Sequence, residues 1–218
     1  MIKRRDFLRN VGFSGSLFAL PSLLVNAAPV SKKENIDLSV RTLKGTVQSK
    51  GKGIANVAVT DGINVTLTDK NGRYELASNT TAEFVYISVP AGYAIPAEKG
   101  IAAFYVPLKK GTDKNDFQLE KLEVDDRKHN FVVWADTQMI SKKDVELLKS
   151  QSVPDLQALI ASYPKQTLFH GIGCGDLVWD HFELFEDYKQ AVGACDIPFY
   201  NVIGNHDIDN DARTDDGS

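Results

Sequence analysis

Apolar and polar residues alternate over short runs from Leu43 onward, and turn residues separate these runs. A period of two is typical of half-buried β-strands, and Asp61-Gly62 and Asn71-Gly72 are typical of the tight turns between them. Roughly seven such strands follow one another between residues 41 and 121, which predicts an all-β sandwich. The strands are expected at residues 45–48, 54–60, 64–68, 73–77, 84–89, 103–108 and 116–119.

The pattern changes after a charged segment at residues 113–127, which predicts a domain boundary. Residues 131–135 form a continuous apolar run, and such a run predicts a strand that is buried on both faces. Apolar residues then recur at helical spacing over 142–149, and Ser152 is a candidate N-cap for a helix that restarts there. A second strand, a second helix and a third strand are expected at residues 166–172, 181–192 and 198–203.

This β-α-β-α-β order predicts parallel strands with right-handed crossovers. The fold class is therefore an all-β sandwich followed by an α/β layered domain, with the domains at residues 41–121 and 128–218. Cys174 and Cys195 would then lie at opposite edges of the parallel sheet, roughly 20 Å apart along a strand of about six residues. We expect two free thiols, because a disulfide requires Cα atoms within about 7 Å of each other.

The first residues predict an export signal at 1–28, followed by a polar linker at 29–40. Lys3-Arg4-Arg5 begins a basic head, a mildly apolar stretch follows, and Val25-Asn26-Ala27 is a small-x-small cleavage pattern. Paired arginines followed by Phe7-Leu8 resemble a twin-arginine signal, which implies export to the periplasm or the exterior. An ordinary secretion signal and a basic amphipathic helix are the alternatives.

Composition limits the remaining classes of protein. Hydrophobic residues make up 43% and charged residues 25% of the chain, which excludes a disordered or collagen-like protein. The net charge of −4 argues against a surface that binds nucleic acid through phosphate contacts. No membrane span is expected after signal removal, since no apolar run is long enough to cross a bilayer. The oligomeric state stays open.

Each strand predicted in the second half ends in a cluster of polar residues. Ligands of α/β sheets bind outside the carboxyl ends of the strands, so the three clusters are expected to converge. Oxygen ligands with one imidazole suit divalent first-row metals, whereas a simpler interpretation is that the acidic and amide residues cap helices. The convergent residues are Asp136, Gln138, Asp176, Asn205, His206 and Asp207, and Asp180 belongs to the cluster that follows the second strand.

Asp136-x-Gln138, Gly175-Asp176-x-x-x-Asp180 and Gly204-Asn205-His206-Asp207 resemble the motifs of calcineurin-like metallophosphoesterases over roughly residues 129–210. The resemblance implies a centre of two divalent ions (Mn, Fe or Zn) that hydrolyses phosphate esters. It implies that Asp136 and Gln138 bind the first ion, that Asp176 bridges both, and that Asn205 binds the second. His206 would donate a proton or a hydrogen bond to the ester, and Asp207 or Asp180 would orient His206.

The first half carries a second resemblance. The hairpin Thr68-Asp69-Lys70-Asn71-Gly72-Arg73-Tyr74 is similar to hairpins of transthyretin-like and carboxypeptidase-regulatory-like sandwiches. No cluster of titratable groups accompanies this hairpin, so we assign no chemistry to the first domain. An export signal and a β-sandwich before the phosphoesterase motifs resemble exported members of the family that carry an extra N-terminal domain.

Three features depart from the family pattern. Gln138 stands where the family usually has histidine, which predicts a weaker or altered site for the first metal. Trp179 stands where the supporting acid is expected, and Asp180 follows one residue later. The family's remaining metal-binding histidines lie further downstream than Ser218, and His181 is the nearest candidate to replace them. We therefore expect a truncated phosphoesterase, weakly active or inactive.

Two other functions remain open. One is a non-catalytic exported binding protein whose phosphoesterase motifs are a degenerate remnant. The other is a haloacid-dehalogenase phosphatase, which is disfavoured because its Asp-x-Asp nucleophile motif is replaced by Asp136-Thr137-Gln138. Phosphomonoesters, phosphodiesters and pyrophosphates all remain candidate substrates.

Overall fold

The computed structural model describes residues 40–108 and 114–209, which belong to one compact unit and fold mostly into β-strands with few helices. The predicted export signal at 1–28 and residues 29–39 of the predicted linker lie outside the described residues. The strands are β1 (Val40–Ser49), β2 (Lys52–Gly53), β3 (Ala58–Thr60), β4 (Val65–Leu67), β5 (Arg73–Asn79), β6 (Phe84–Ile87), β7 (Ala97–Glu98), β8 (Ile101–Ala102), β9 (Tyr105–Pro107), β10 (Phe117–Gln118), β11 (His129–Trp134), β12 (Leu168–Cys174) and β13 (Phe199–Val202). The α-helices are α1 (Lys142–Leu147), α2 (Val153–Ala161) and α3 (Phe185–Ala194), with a π-helical turn at Leu148–Ser152 and a 3-10 turn at Phe182–Leu184.

Two antiparallel-rich sheets make up the first half of the described chain. The long strand β1 pairs with β5, β2 and β10, and the second sheet has the order β4-β3-β6-β9. Side chains alternate along β5, so that Tyr74 and Leu76 are buried while the residues between them are exposed. These two side chains join Leu43, Val59 and Val85 in one hydrophobic core that both sheets share.

The hairpin between β4 and β5 is closed by Asp69. Its Oδ1 accepts hydrogen bonds from the backbone N–H groups of Asn71 and Arg73, both at 2.8 Å. Gly72 adopts a φ of 75°, a left-handed conformation that glycine reaches without steric cost. The turn predicted from Asp69-Lys70-Asn71-Gly72 is therefore confirmed.

The remaining sheet has the strand order β11-β12-β13-β8-β7. The strands β11, β12 and β13 are parallel to one another, as their order in the sequence predicts. The short hairpin β7–β8 adds to the edge of this sheet, where Ile101 pairs in parallel with Phe199. Residues 97–102 thus belong to the same sheet as the second half, although they precede the predicted boundary at 121–128.

The helical segment after β11 is continuous rather than interrupted. Ser141 precedes α1, and its N–H and Oγ–H donate to Asp144 Oδ2 at 2.9 and 2.8 Å. The π-helical turn then leads directly into α2, so Ser152 has helical backbone angles and forms no side-chain cap. The prediction of Ser152 as an N-cap is wrong, because the helix does not restart there. None of the helices in 40–108 and 114–209 is long and apolar enough to cross a membrane.

The helices cover one face of the parallel sheet. Buried residues of α2 and α3, among them Leu156 and Tyr188, pack with Phe199 and with the partly buried Trp134. Phe131 and Val133 point to the other face and are 61% and 47% exposed. The prediction that the strand at 131–135 is buried on both faces is wrong for the described structure, because helices pack only on the face of Trp134.

Candidate functional site

The three polar clusters predicted from the sequence lie at one edge of the parallel sheet. Trp134 pairs with Gly173, and Cys174 pairs with Val202, so β11, β12 and β13 end side by side. We name the segments that follow them the first loop (residues 135–141), the second loop (175–181) and the third loop (203–209). All the predicted site residues are on these three loops.

The first and second loops are joined through their backbones. The Gln138 N–H donates to the Asp176 carbonyl at 2.8 Å, and the Thr137 hydroxyl donates to the Leu177 carbonyl at 2.9 Å. A third bond runs back from the Trp179 N–H to the Met139 carbonyl at 3.1 Å. The side chain of Met139 is buried beneath the loops, which anchors the first loop to the core.

The second and third loops make a close backbone approach. The His206 N–H donates to Asp176 Oδ1 at 3.2 Å, and the Asp180 N–H donates to the His206 carbonyl at 3.1 Å. A Cβ atom added at Gly204 would lie 2.1 Å from Asp176 Oδ1 and 2.2 Å from the Asp176 nitrogen. Only glycine fits at this position without displacing the Asp176 carboxylate.

The buried Asp207 side chain also connects the second and third loops. Its Oδ1 accepts from the Val178 N–H and its Oδ2 accepts from the Gly204 N–H, both at 2.9 Å, and the residue is buried. Both carboxylate oxygens are therefore engaged with the backbone. The structure gives Asp207 a role in holding the loops, which differs from the sequence prediction that it acts in catalysis or orients the His206 ring.

The imidazole of His206 is held by Asp180 and Trp179. Its Nδ1 lies 3.0 and 3.1 Å from the two carboxylate oxygens of Asp180. A carboxylate only accepts, so we assign the proton to Nδ1, which leaves Nε2 as the second ring nitrogen. The indole of Trp179 stacks on the imidazole, with ring centroids 3.6 Å apart and an angle of 18° between the planes.

Several predicted site residues have left-handed backbone angles. Asp136, Gln138, Asp176 and Asp180 have φ values of 48°, 43°, 45° and 58°. This conformation is uncommon outside glycine and costs of order 1–3 kcal/mol for each residue, and such residues concentrate at functional sites. Half of the eight described non-glycine residues with such angles lie in the first and second loops.

The predicted metal ligands are oxygen donors. Asp136 and Asn205 are exposed, whereas Asp176 and Gln138 are partly buried. Within residues 40–108 and 114–209, no three His, Cys, Asp or Glu side chains form a group that could hold a metal ion. The Nδ1 of His181, the residue predicted as a candidate for the missing imidazole, lies 3.1 Å from Glu183 Oε1. The candidate ligand set therefore consists of two carboxylates and two amides.

The two cysteines are unpaired, as predicted from the parallel strands. Cys174 is exposed at the carboxyl end of β12, close to the candidate site, and Cys195 is buried beyond the end of α3. Burial raises the pKa of the Cys195 thiol to about 11.

A cavity of about 540 Å³ lies away from the candidate site, near the amino ends of β11 and β12. Tyr93, Phe104, His129, His170 and Tyr200 contribute to its lining. The described residues that line it include none of the predicted site residues. Its place at the opposite edge of the sheet separates it from the converging loops.

Sequence reasoning did not assign a role to Trp179. Its contact with His206 depends on the approach of two loops that are separate in the sequence. The carboxylate of Asp180, one residue later, lies 3.0 and 3.1 Å from the Nδ1 of His206. The signal in the sequence is that Trp179 stands where the family pattern has an acid, and that the acid Asp180 follows directly after it.

Comparison with known families finds a match in the first half of the chain. The sequence model described as the N-terminal part of calcineurin-like phosphoesterases matches residues 41–122. This match supports the calcineurin-like phosphoesterase family, and it covers the β-rich half that precedes the three loops. Searches of the curated proteins and of the solved structures found no match.

Proposed function

We propose that this chain is an exported, metal-dependent phosphoesterase of the calcineurin-like family. In this proposal β11, β12 and β13 with their helices belong to an α/β layered catalytic domain, which the β-rich first half precedes. The observation that carries the proposal is the convergence of three loops, in which the Asp176 carboxylate accepts the N–H of His206. The family match on residues 41–122 supports it independently.

Asp136, Gln138, Asp176 and Asn205 would hold the metal. Carboxylate and amide oxygens suit Mn²⁺ better than softer ions, whereas iron or zinc would gain more from imidazole ligands. Manganese prefers six oxygen ligands in octahedral geometry, so a pair of ions needs ligands beyond the side-chain oxygens of these four residues. When bound, a pair of divalent ions would supply Lewis-acid activation of the phosphate and of a water molecule.

His206 would act on the leaving group of a phosphate ester. Its Nδ1 is bonded to Asp180, so Nε2 is the nitrogen that can stabilise or protonate the leaving oxygen. Asp180 would fix the tautomer and stabilise the imidazolium form of His206. Asp207 takes no part in this chemistry, because its oxygens bind the backbone of Val178 and Gly204.

A non-catalytic exported binding protein is the second candidate. One observation favours it: the described residues contain no group of three acidic, histidine or cysteine side chains that could hold a metal. In that case the three loops would keep their hydrogen bonds while hydrolysis would be absent. The localisation in either case rests on the twin-arginine-like segment at residues 4–8.

Hydrolysis of p-nitrophenyl phosphate and its bis-ester, with manganese or zinc, tests the proposal. We expect slow hydrolysis that a chelator abolishes and that His206→Gln lowers at least about 100-fold, the usual contribution of a positioned acid. His129→Gln is the matched control, because His129 lies at the amino end of β11, away from the three loops, and its Nδ1 lies 3.1 Å from the Asp126 carbonyl oxygen. Hydrolysis that persists in His206→Gln would contradict the role of His206, and no hydrolysis with either metal would favour the binding protein.

A further inference from the structure

Trp179 is the aromatic residue in direct contact with His206. We propose that Trp179 is a positioning residue that, together with Asp180, holds His206 with Nε2 as the ring nitrogen presented to a phosphate ester. This inference rests on the proposed phosphoesterase function. It assigns a role to a residue that replaces an acid in the family pattern, and its basis is the ring stacking at 3.6 Å.

The backbone of His206 is fixed on both sides of the residue. Its N–H is bonded to Asp176 Oδ1 at 3.2 Å, and its carbonyl accepts the Asp180 N–H at 3.1 Å. The remaining freedom of the side chain is rotation about its two torsions. A contact that fixes the imidazole therefore has to act on the ring itself.

The hydrogen bond to Asp180 is not sufficient by itself to fix the orientation of the His206 ring. The side chain of Asp180 is 54% exposed, and exposed ion pairs are weakened by water and salt. The Trp179 indole lies nearly parallel to the imidazole and covers one of its faces. Tilting the imidazole loses this contact, and flipping it by half a turn removes Nδ1 from Asp180, so the two contacts together select one orientation.

Trp179 is itself held in place by the neighbouring loop. Its N–H donates to the carbonyl of the buried Met139 at 3.1 Å, and Val178 before it is fully buried. The residue is 36% exposed, and its indole face packs on the imidazole of His206. Trp179 thus links the first loop, through its backbone, to the third loop, through its ring.

Trp179→Leu and Trp179→Phe separate stacking from simple bulk. The matched control is Phe182→Leu, because Phe182 is 38% exposed and stacks on Phe185 rather than on His206. Proton NMR at one fixed pH reports the His206 ring, which the loss of its signals in His206→Gln identifies among the four histidines. We expect the His206 ring protons to move downfield in Trp179→Leu, less in Trp179→Phe, and not in Phe182→Leu.

The functional readout is hydrolysis of p-nitrophenyl phosphate together with binding of inorganic phosphate. An aromatic contact of this kind predicts that kcat and phosphate affinity fall about two- to tenfold in Trp179→Leu and recover in Trp179→Phe. Unchanged His206 ring signals in Trp179→Leu would refute the stacking. Equal kcat and phosphate affinity in wild type and Trp179→Leu would refute the positioning role.

The two proposals can fail separately. If the wild-type protein does not hydrolyse the ester, the proposed function fails, and phosphate titration monitored on the His206 ring still decides the role of Trp179. In that titration we expect the wild type to bind phosphate more tightly than Trp179→Leu. Phosphate that leaves the wild-type His206 signals unchanged would overturn the positioning proposal.

Discussion

Asp207→Asn should destabilise the protein without removing a group that contacts substrate. In the structure, the Asp207 carboxylate accepts the N–H groups of Val178 and Gly204, and both bonds measure 2.9 Å. Asparagine retains one acceptor oxygen and places an NH2 group against the other backbone N–H. One charge-assisted hydrogen bond is therefore lost in a buried position, and one N–H is left without an acceptor.

The magnitude follows from the number of bonds. A hydrogen bond to a charged group contributes about 1.5–3 kcal/mol, so Asp207→Asn should lower the free energy of unfolding by about that amount. Asp207→Ala removes both bonds and should cost about 3–6 kcal/mol. In a domain of this size each kcal/mol corresponds to about 2–4 °C, so Asp207→Asn should lower Tm by about 3–12 °C.

Thermal unfolding followed by circular dichroism measures the effect. Asp196→Asn is the matched control, because Asp196 is exposed and also has a left-handed backbone, with a φ of 56°. Asparagine accepts that conformation, so the Tm of the control should stay close to the wild-type value. A wild-type Tm in Asp207→Asn would refute the conclusion that Asp207 fastens the second loop to the third.

Two further predictions concern the thiols and the response to acid. In native protein at pH 8, a thiol reagent should modify the exposed Cys174 but not Cys195, because burial raises the pKa of the Cys195 thiol to about 11. A second equivalent of reagent should react after denaturation. Reaction of two equivalents with the native protein would contradict the burial of Cys195. Burial alone would raise the pKa of Asp61, but hydrogen bonds from Ser78, Asn64 and Ile63 lower it overall. Asp61 therefore adds stability above its unfolded pKa of about 3.9, and this stability is lost as the pH falls through the lower folded value. Urea unfolding at pH 7 and pH 3 should show a smaller difference for Asp61→Asn than for wild type, and equal differences would contradict this cause.

The strands that carry the candidate site were predictable because their patterns are local. A short run of β-branched and aromatic residues such as Phe131 to Ala135 favours a strand over a helix, and parallel strands bring their carboxyl ends together. The burial of that run was not predictable in the same way, because it depends on what packs on each face. Trp134 meets the helices, whereas Phe131 and Val133 remain exposed.

Features that depend on contacts between loops were missed. The hairpin β7–β8 has two residues in each strand, which is too short for any period to be recognised. The bond between the Val178 N–H and Asp207 joins residues from separate loops, and nothing in the Gly-Asn-His-Asp motif indicates that its last residue faces the backbone. The stacking of Trp179 on His206 likewise joins two separate loops, so the sequence alone does not indicate it.

The central claim is that the three loops form one metal centre. Comparing metal binding by the wild-type protein and by Asp176→Asn tests it most directly. Isothermal titration calorimetry with manganese should show weak binding to the wild-type protein and none to Asp176→Asn, since the substitution removes the carboxylate that is proposed to bridge the ions. Asp196→Asn should bind manganese like wild type. The exposed Asp196 lies between α3 and the amino end of β13, whereas the three loops follow the carboxyl ends of the strands. Binding that is unchanged in Asp176→Asn would contradict the convergence of the three loops on one metal centre.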